Sequence, residues 1–260
     1  MTTTIPTPIL RPIRFVTDVA AWQAFYADLG FISTGVEADG WVVLAADSGR
    51  LALHHAEPES PLVGKAKLAW EVPDLEAYRT AVAGTGTDIR RATFDRGDVL
   101  VADLPQGRVV IDRADGAGGT NPVRPEGLAV LPLVYTRSVI DGAEAATHLG
   151  LTRRITSDTN GWADLMGHGV LAFHRADSDA AEDRTVDDGE ISVEISLETG
   201  DVEALQTRVD AAGHPVDLID EAYARTLRIT APDGTRVWVN ETQRDLYGFH
   251  VATGAAPPSR

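Results

Sequence analysis

LGFISTGVEADGWVVLAADSGRLALHHAE, running from Leu29 to Glu57, is echoed about 120 residues later by LGLTRRITSDTNGWADLMGHGVLAFHRAD, running from Leu149 to Asp177. The anchors fall in the same order. Leu29-Gly30 matches Leu149-Gly150, Gly40-Trp41 matches Gly161-Trp162, Leu44 matches Leu165, and LALHHAE matches LAFHRAD. His54 therefore corresponds to His174. A fixed offset between ordered anchors indicates two copies of one unit.

Working outward, a second pair of segments repeats at an offset of about 127 residues. DLEAYRTAVAG (74–84) matches DVEALQTRVDAAG (201–213), and LPQGRVV (104–110) matches APDGTRV (231–237). Each of the four units reads as strand, helix, then three strands. In the first, VAAWQAFYADLG puts Trp22, Phe25, Tyr26 and Leu29 on one helical face, with Thr17 or Asp18 as N-cap and Gly30 beyond the end. Strand-like runs follow at 31–36, 40–45 and 50–55. In the fourth, Ile191, Val193, Ile195 and Leu197 alternate with Ser192, Glu194, Ser196 and Glu198, which predicts a half-buried strand. The expected fold class is α+β, with four βαβββ modules at about 11–57, 65–113, 127–177 and 189–241. Residues 114–127, ADGAGGTNPVRPEG, mix Gly, Pro and polar side chains without apolar period, so the domain boundary is expected there. The expected division is an N-terminal domain (1–116), a linker (117–126) and a C-terminal domain with tail (127–260). The acidic stretch 177–189 is expected to be an exposed, mobile connector.

The chain has 260 residues, 43% hydrophobic and 24% charged, as in a globular protein of two ordinary domains. A net charge of −16 opposes phosphate backbones, so neither nucleic acid nor an anionic membrane is an expected partner. No apolar run approaches the roughly 18 residues of a membrane span. MTTTIPTPILRP lacks the basic start and apolar core of a signal peptide. With no cysteine there is no disulfide, thiolate nucleophile or Cys-type zinc site, and a cytoplasmic location is expected. Lysine occurs only at Lys65 and Lys67, which reads as coding bias of a GC-rich bacterial genome.

DVAAWQAFYADLGF (18–31), the LGF…GW spacing, DLEAYRTAVAG and APDGTRVWV together resemble the vicinal oxygen chelate superfamily. That superfamily holds glyoxalase I, bleomycin-resistance and fosfomycin-resistance proteins, and extradiol dioxygenases. The resemblance covers about Pro12 to Asn240. It implies that two βαβββ modules pair into one open eight-stranded barrel around a ligand cleft, so that this chain is a tandem of two barrels. It further implies, for the superfamily's enzymes, a divalent metal held by His and Glu from the first and last strands of each module.

Transferred by position, the implied ligand sites fall on Arg11, Leu53 or His54, Lys67 and Ile111 in the first cleft. In the second they fall on Leu131, Phe173 or His174, Glu194 and Trp238. Neither makes a His/His/Glu set, so no metal and no cofactor is expected. Trp238 would offer a flat apolar surface where a ligand group is implied. The expected function is a metal-independent binding protein of the bleomycin-resistance type. It would hold a planar or aromatic ligand, such as an antibiotic, through Trp41, His54, Lys67, Trp162, His174, Glu194 and Trp238. The alternative is a metal-dependent enzyme of the glyoxalase/dioxygenase class, or one using His174 with Glu194 as an acid/base pair. The expected partner is a small molecule, with the chain a monomeric pseudo-dimer or a homodimer. Each histidine also reads as a strand-end group bonded to a neighbour or to water.

Overall fold

A computed structural model describes residues 4–94, 96–124, 126–176, 185–186, 189–221 and 224–252. The first module comprises β1 (Ile9–Leu10), β2 (Ile13–Val16), α1 (Val19–Leu29), β3 (Ile32–Ala38), β4 (Trp41–Ala45) and β5 (Arg50–His55). The second has β6 (Ala66–Lys67), β7 (Ala69–Val72), α2 (Leu75–Ala83), β8 (Ile89–Phe94), β9 (Gly97–Leu104) and β10 (Gly107–Arg113). The third has β11 (Leu128–Thr136), α3 (Val139–His148), β12 (Thr152–Ser157), β13 (Trp162–Gly167) and β14 (Gly169–Arg175). Two short strands, β15 (Thr185–Val186) and β16 (Glu190–Ile191), precede the fourth module. That module has β17 (Glu194–Thr199), α4 (Val202–Ala211), β18 (Val216–Asp220), β19 (Arg225–Thr230) and β20 (Arg236–Glu241), and β21 (Phe249–Val251) follows it.

Asp18, Asp74 and Asp201 each accept a hydrogen bond at 2.9 Å from the backbone N–H three residues on, which starts α1, α2 and α4. Gly30 ends α1 at φ 111°, a conformation open chiefly to glycine. Ser138 stands at the α3 N-cap without a side-chain bond, and the helix begins at Val139. Trp22, Phe25, Tyr26 and Leu29 are all buried, as their spacing requires.

In the C-terminal half the strands form one sheet ordered β18-β19-β20-β17-β11-β14-β13-β12-β21. The two first strands, β11 and β17, are antiparallel at its centre, and each runs parallel to its own module's last strand. The N-terminal half repeats this plan with the central ladder interrupted. Ile9 pairs with Glu71 and Ile13 with Lys67 in one unbroken register, but Pro12 between them has no N–H to donate. The chain is thus four βαβββ modules in two tandem open barrels. The two halves share one apolar core. Across it α1 meets α4, where His214 Nε2 lies 2.8 Å from Asp28 Oδ2, and the Tyr78 hydroxyl donates to the Leu149 carbonyl at 2.6 Å.

The His168 N–H donates to the Pro8 carbonyl, and Ile9 bridges to His168, so this segment docks on the third module. Three expectations change. The run from Ile191 to Glu198 is not one strand, because Ile191 pairs with the connector while Val193 N–H donates to Ala66 across the halves. Ser196 and Glu198 on its polar face are buried, since that face points into a barrel rather than to water. The acidic connector lies largely outside the described residues; where described, it carries β15 and β16 onto β10. Among the described residues no helix is long and apolar enough to cross a membrane.

Candidate functional site

Alternation along β5 and β14 sorts the repeated histidines. Leu51, Leu53, Leu171 and Phe173 enter the helix-side core, so His54 and His174 take the opposite, barrel-inner face. His174 lies opposite Tyr135 on β11 and opposite Trp162 on β13. Its ring centroid is 5.5 Å from Tyr135 and 5.9 Å from Trp162, both edge-on. His54 sits in the same way between Phe15 and Trp41, 5.3 Å from each.

In the C-terminal half this row forms one wall of a cleft of about 750 Å³. The structure brings four of the expected residues together there: Trp162, His174, Glu194 and Trp238. The His174 Nδ1 lies 2.8 Å from the Arg175 carbonyl, which can only accept. Nδ1 therefore carries the proton, and the Nε2 lone pair is available to a bound molecule. The Tyr135 hydroxyl donates to Glu194 Oε2 at 3.4 Å. Trp238 is 36% exposed, so a large apolar surface faces the opening.

The floor holds a cluster the sequence reading passed over. Arg154 is buried, with Nε and Nη2 each 2.9 Å from the Asp164 carboxylate and Nη1 and Nη2 each 2.7 Å from that of Glu198. Burial alone would lower the Arg154 pKa, but the two carboxylates raise it well above its ordinary value. The Trp162 indole N–H donates to Asp164 Oδ2 at 3.2 Å, tying floor to wall. Phe249, on the strand added after the fourth module, also lines the cleft. Glu198 was visible as a polar member of the alternating run, and Asp164 as the departure GWADL from GWVVL. Arg154 and Phe249 carried no comparable signal.

The N-terminal candidates are dispersed. Lys67 Nζ lies 2.5 Å from Glu190 Oε2, both side chains being mostly buried. His54 is half-buried, and burial followed by the charges of Lys67 and Arg96 lowers its pKa. Only Trp41 of the three borders the cavity of about 430 Å³ in that half. Ile111 is fully buried in the core, because the strand register equates Val110, not Ile111, with Trp238. Thr235 is the extra residue that shifts the count.

Among the described residues, no three His, Asp or Glu side chains form a group able to hold a metal ion. The positions that the superfamily resemblance assigns to ligands in the second cleft hold Leu131, Glu194 and Trp238, beside His174. This donor set does not fit a three-ligand centre.

No family model matches the chain, and no curated protein matches it. Solved structures do. The 2,3-dioxygenase LapB from Pseudomonas sp. KL28 superposes with a TM-score of 0.61 at 15% identity, over 95% of this chain and 96% of that one. A catechol 2,3-dioxygenase gives 0.59 at 13% identity, covering 100% of both chains. Homoprotocatechuate 2,3-dioxygenase from Brevibacterium fuscum, in complex with 3,4-dihydroxyphenylacetate, gives 0.57 at 14% identity, over 99% of this chain and 86% of that one. These neighbours correct two expectations. They are dioxygenases, not bleomycin-resistance binding proteins, so the enzyme alternative displaces the binding-protein reading and its association with antibiotics. They belong to the class for which the superfamily resemblance implies a divalent metal, so the expectation of no cofactor falls with it, although the donors described above do not make such a centre. The chain has the fold of the vicinal oxygen chelate superfamily in its tandem two-domain form.

Proposed function

We propose that the chain is an enzyme of the glyoxalase/dioxygenase class, with the C-terminal cleft as its active site and a small phenolic aromatic, of the catechol type, as substrate. The observation that carries this reading is the Tyr135–His174–Trp162 row, which leaves an imidazole lone pair facing a cleft walled by aromatic side chains. The ring of the substrate lies against Trp238 and Phe249. His174 Nε2 accepts the proton of a phenolic hydroxyl, giving a phenolate beside an imidazolium. Tyr135 and Trp162 hold the imidazole from its two sides, and Tyr135 links it to the carboxylate of Glu194. Arg154 fixes Asp164, and through it Trp162, at the floor. Residues 1–116 and 127–260, joined by 117–126, serve as the two domains, and only the second carries the catalytic cleft.

Binding tests this before chemistry does. Titrating the full chain with catechol and with 3,4-dihydroxyphenylacetate should quench tryptophan emission saturably. Trp238→Ala should weaken binding by about tenfold, the loss of one buried aromatic contact. Equal affinity in the variant would overturn the placement of the substrate.

A further inference from the structure

The N-terminal half holds a second cavity, of about 430 Å³, whose chemistry differs from that of the catalytic cleft. Arg11 is 1% exposed and shared between two carboxylates: its Nε lies 2.8 Å from Glu71 Oε1, and its Nη2 is bonded to Asp112. Its Nη1 is buried and has no acceptor among the described residues. The Trp41 indole N–H is likewise buried without an acceptor. Both residues line the cavity. Arg96, at the tip of the β8–β9 hairpin, lies with its guanidinium 4.2 Å from the centre of the Trp41 ring, and Arg11 lies 5.3 Å from it. No carboxylate pairs with Arg96 among the described residues.

Charge around the cavity is balanced: Arg11, Arg96 and Arg113, with Arg50 behind them bonding Glu71 at 2.6 Å, stand against Glu71, Asp98, Asp112 and Asp115. Asp115 lies 3.7 Å from Arg113, and Asp98 accepts the Thr93 hydroxyl at 2.8 Å. What the cavity leaves unmet is therefore two N–H donors, those of Arg11 Nη1 and the Trp41 indole, rather than net charge. Val36, Val43 and Leu75 supply apolar wall beside them.

We propose that this cavity is a second ligand site, for a small organic carboxylate with an apolar body. The carboxylate takes the unmet donors of Arg11 and Trp41 and the charge of Arg96, while its apolar part lies against the valines and Leu75. Arg96 sits on a hairpin tip, so it both closes the site and recognises the anion.

Calorimetric titration of the full chain with benzoate tests this, with benzamide as the uncharged counterpart. Benzoate should bind saturably and benzamide should not. Arg96→Gln, at an exposed position, should weaken benzoate by about tenfold or more, as expected for a lost charged hydrogen bond. Trp41→Phe, which keeps a ring and removes the N–H, should weaken it several-fold. Trp238→Ala, in the other cleft, should leave it unchanged. Absence of saturable binding, equal affinity for benzamide, full affinity in Arg96→Gln, or loss in Trp238→Ala would each overturn the proposal. None of these outcomes depends on catechol turnover.

Discussion

His54 and His174 stand at the same position of a repeated hairpin, and each lies between two aromatic side chains on the flanking strands: Phe15 and Trp41 for one, Tyr135 and Trp162 for the other. Their surroundings differ. His174 is exposed at the wall of a large cleft, whereas His54 is half-buried with Lys67 and Arg96 nearby. The same duplicated frame therefore holds one histidine available for chemistry and one held toward its neutral form.

A pH dependence follows for His54. Its folded pKa lies below the ordinary 6.5, chiefly through burial and then through Lys67 and Arg96. The unfolded chain thus binds the proton more readily. The stabilising contribution is complete above pH 6.5 and is lost as pH falls through the folded value. Proton NMR should show one histidine titrating below 6.5, absent in His54→Gln, and that variant should lose stability less steeply on acidification. A His54 signal titrating at or above 6.5 would contradict this.

Arg154 supports the floor of the C-terminal cleft. Removing it strands Asp164 and Glu198, both at most 4% exposed, without their counter-ion. Arg154→Met should cost about 3–5 kcal/mol in denaturant unfolding, and adding Asp164→Leu and Glu198→Leu should recover most of it. A loss below about 1 kcal/mol, the value of an exposed pair, would show that the cluster is solvated.

Tyr26 is fully buried on α1, with no partner for its hydroxyl among the described residues. Burial pushes its pKa up to about 12. Tyr26→Phe removes an unsatisfied buried group, so it should be neutral or stabilising by about 1 kcal/mol at pH 7. The contribution of the raised pKa is present below pH 10 and is lost as pH rises through 12. Wild-type stability should therefore fall more steeply than that of the variant in this range, which alkaline unfolding curves would reveal.

The repeat made the architecture legible. Gly30 and Gly150 both have positive φ, at 111° and 91°, because both follow a helix that must turn into a strand. The aspartate caps and the helical apolar spacing placed three helices closely. What the sequence hid was inside the barrels. Ser196 and Glu198 read as a wet face because alternation separates two sides without saying whether the second side meets water or a cleft. Lys67 read as a cleft residue, but Glu190, from a connector far along the chain, neutralises it. Thr235, one residue more after the turn of the fourth module than the second has, made a count from the turn fall on Ile111, a core residue, instead of Val110. His174, Glu194, Trp162 and Trp238, which line the C-terminal cleft, were legible because each sits at a repeated or ligand-equivalent position, whereas Arg154 joins that cleft only through folding of a third strand.

Turnover tests the central claim most directly. Catechol and 3,4-dihydroxyphenylacetate should be supplied under air to the full chain, with and without ferrous iron, and followed by oxygen uptake and ultraviolet absorbance. The proposed C-terminal active site predicts consumption of at least one of them, and a fall of about 100-fold or more in His174→Ala, the scale of a lost general base. The variant should keep the wild-type circular dichroism spectrum. No consumption of either compound under any of these conditions, or an undiminished rate in His174→Ala, would contradict it.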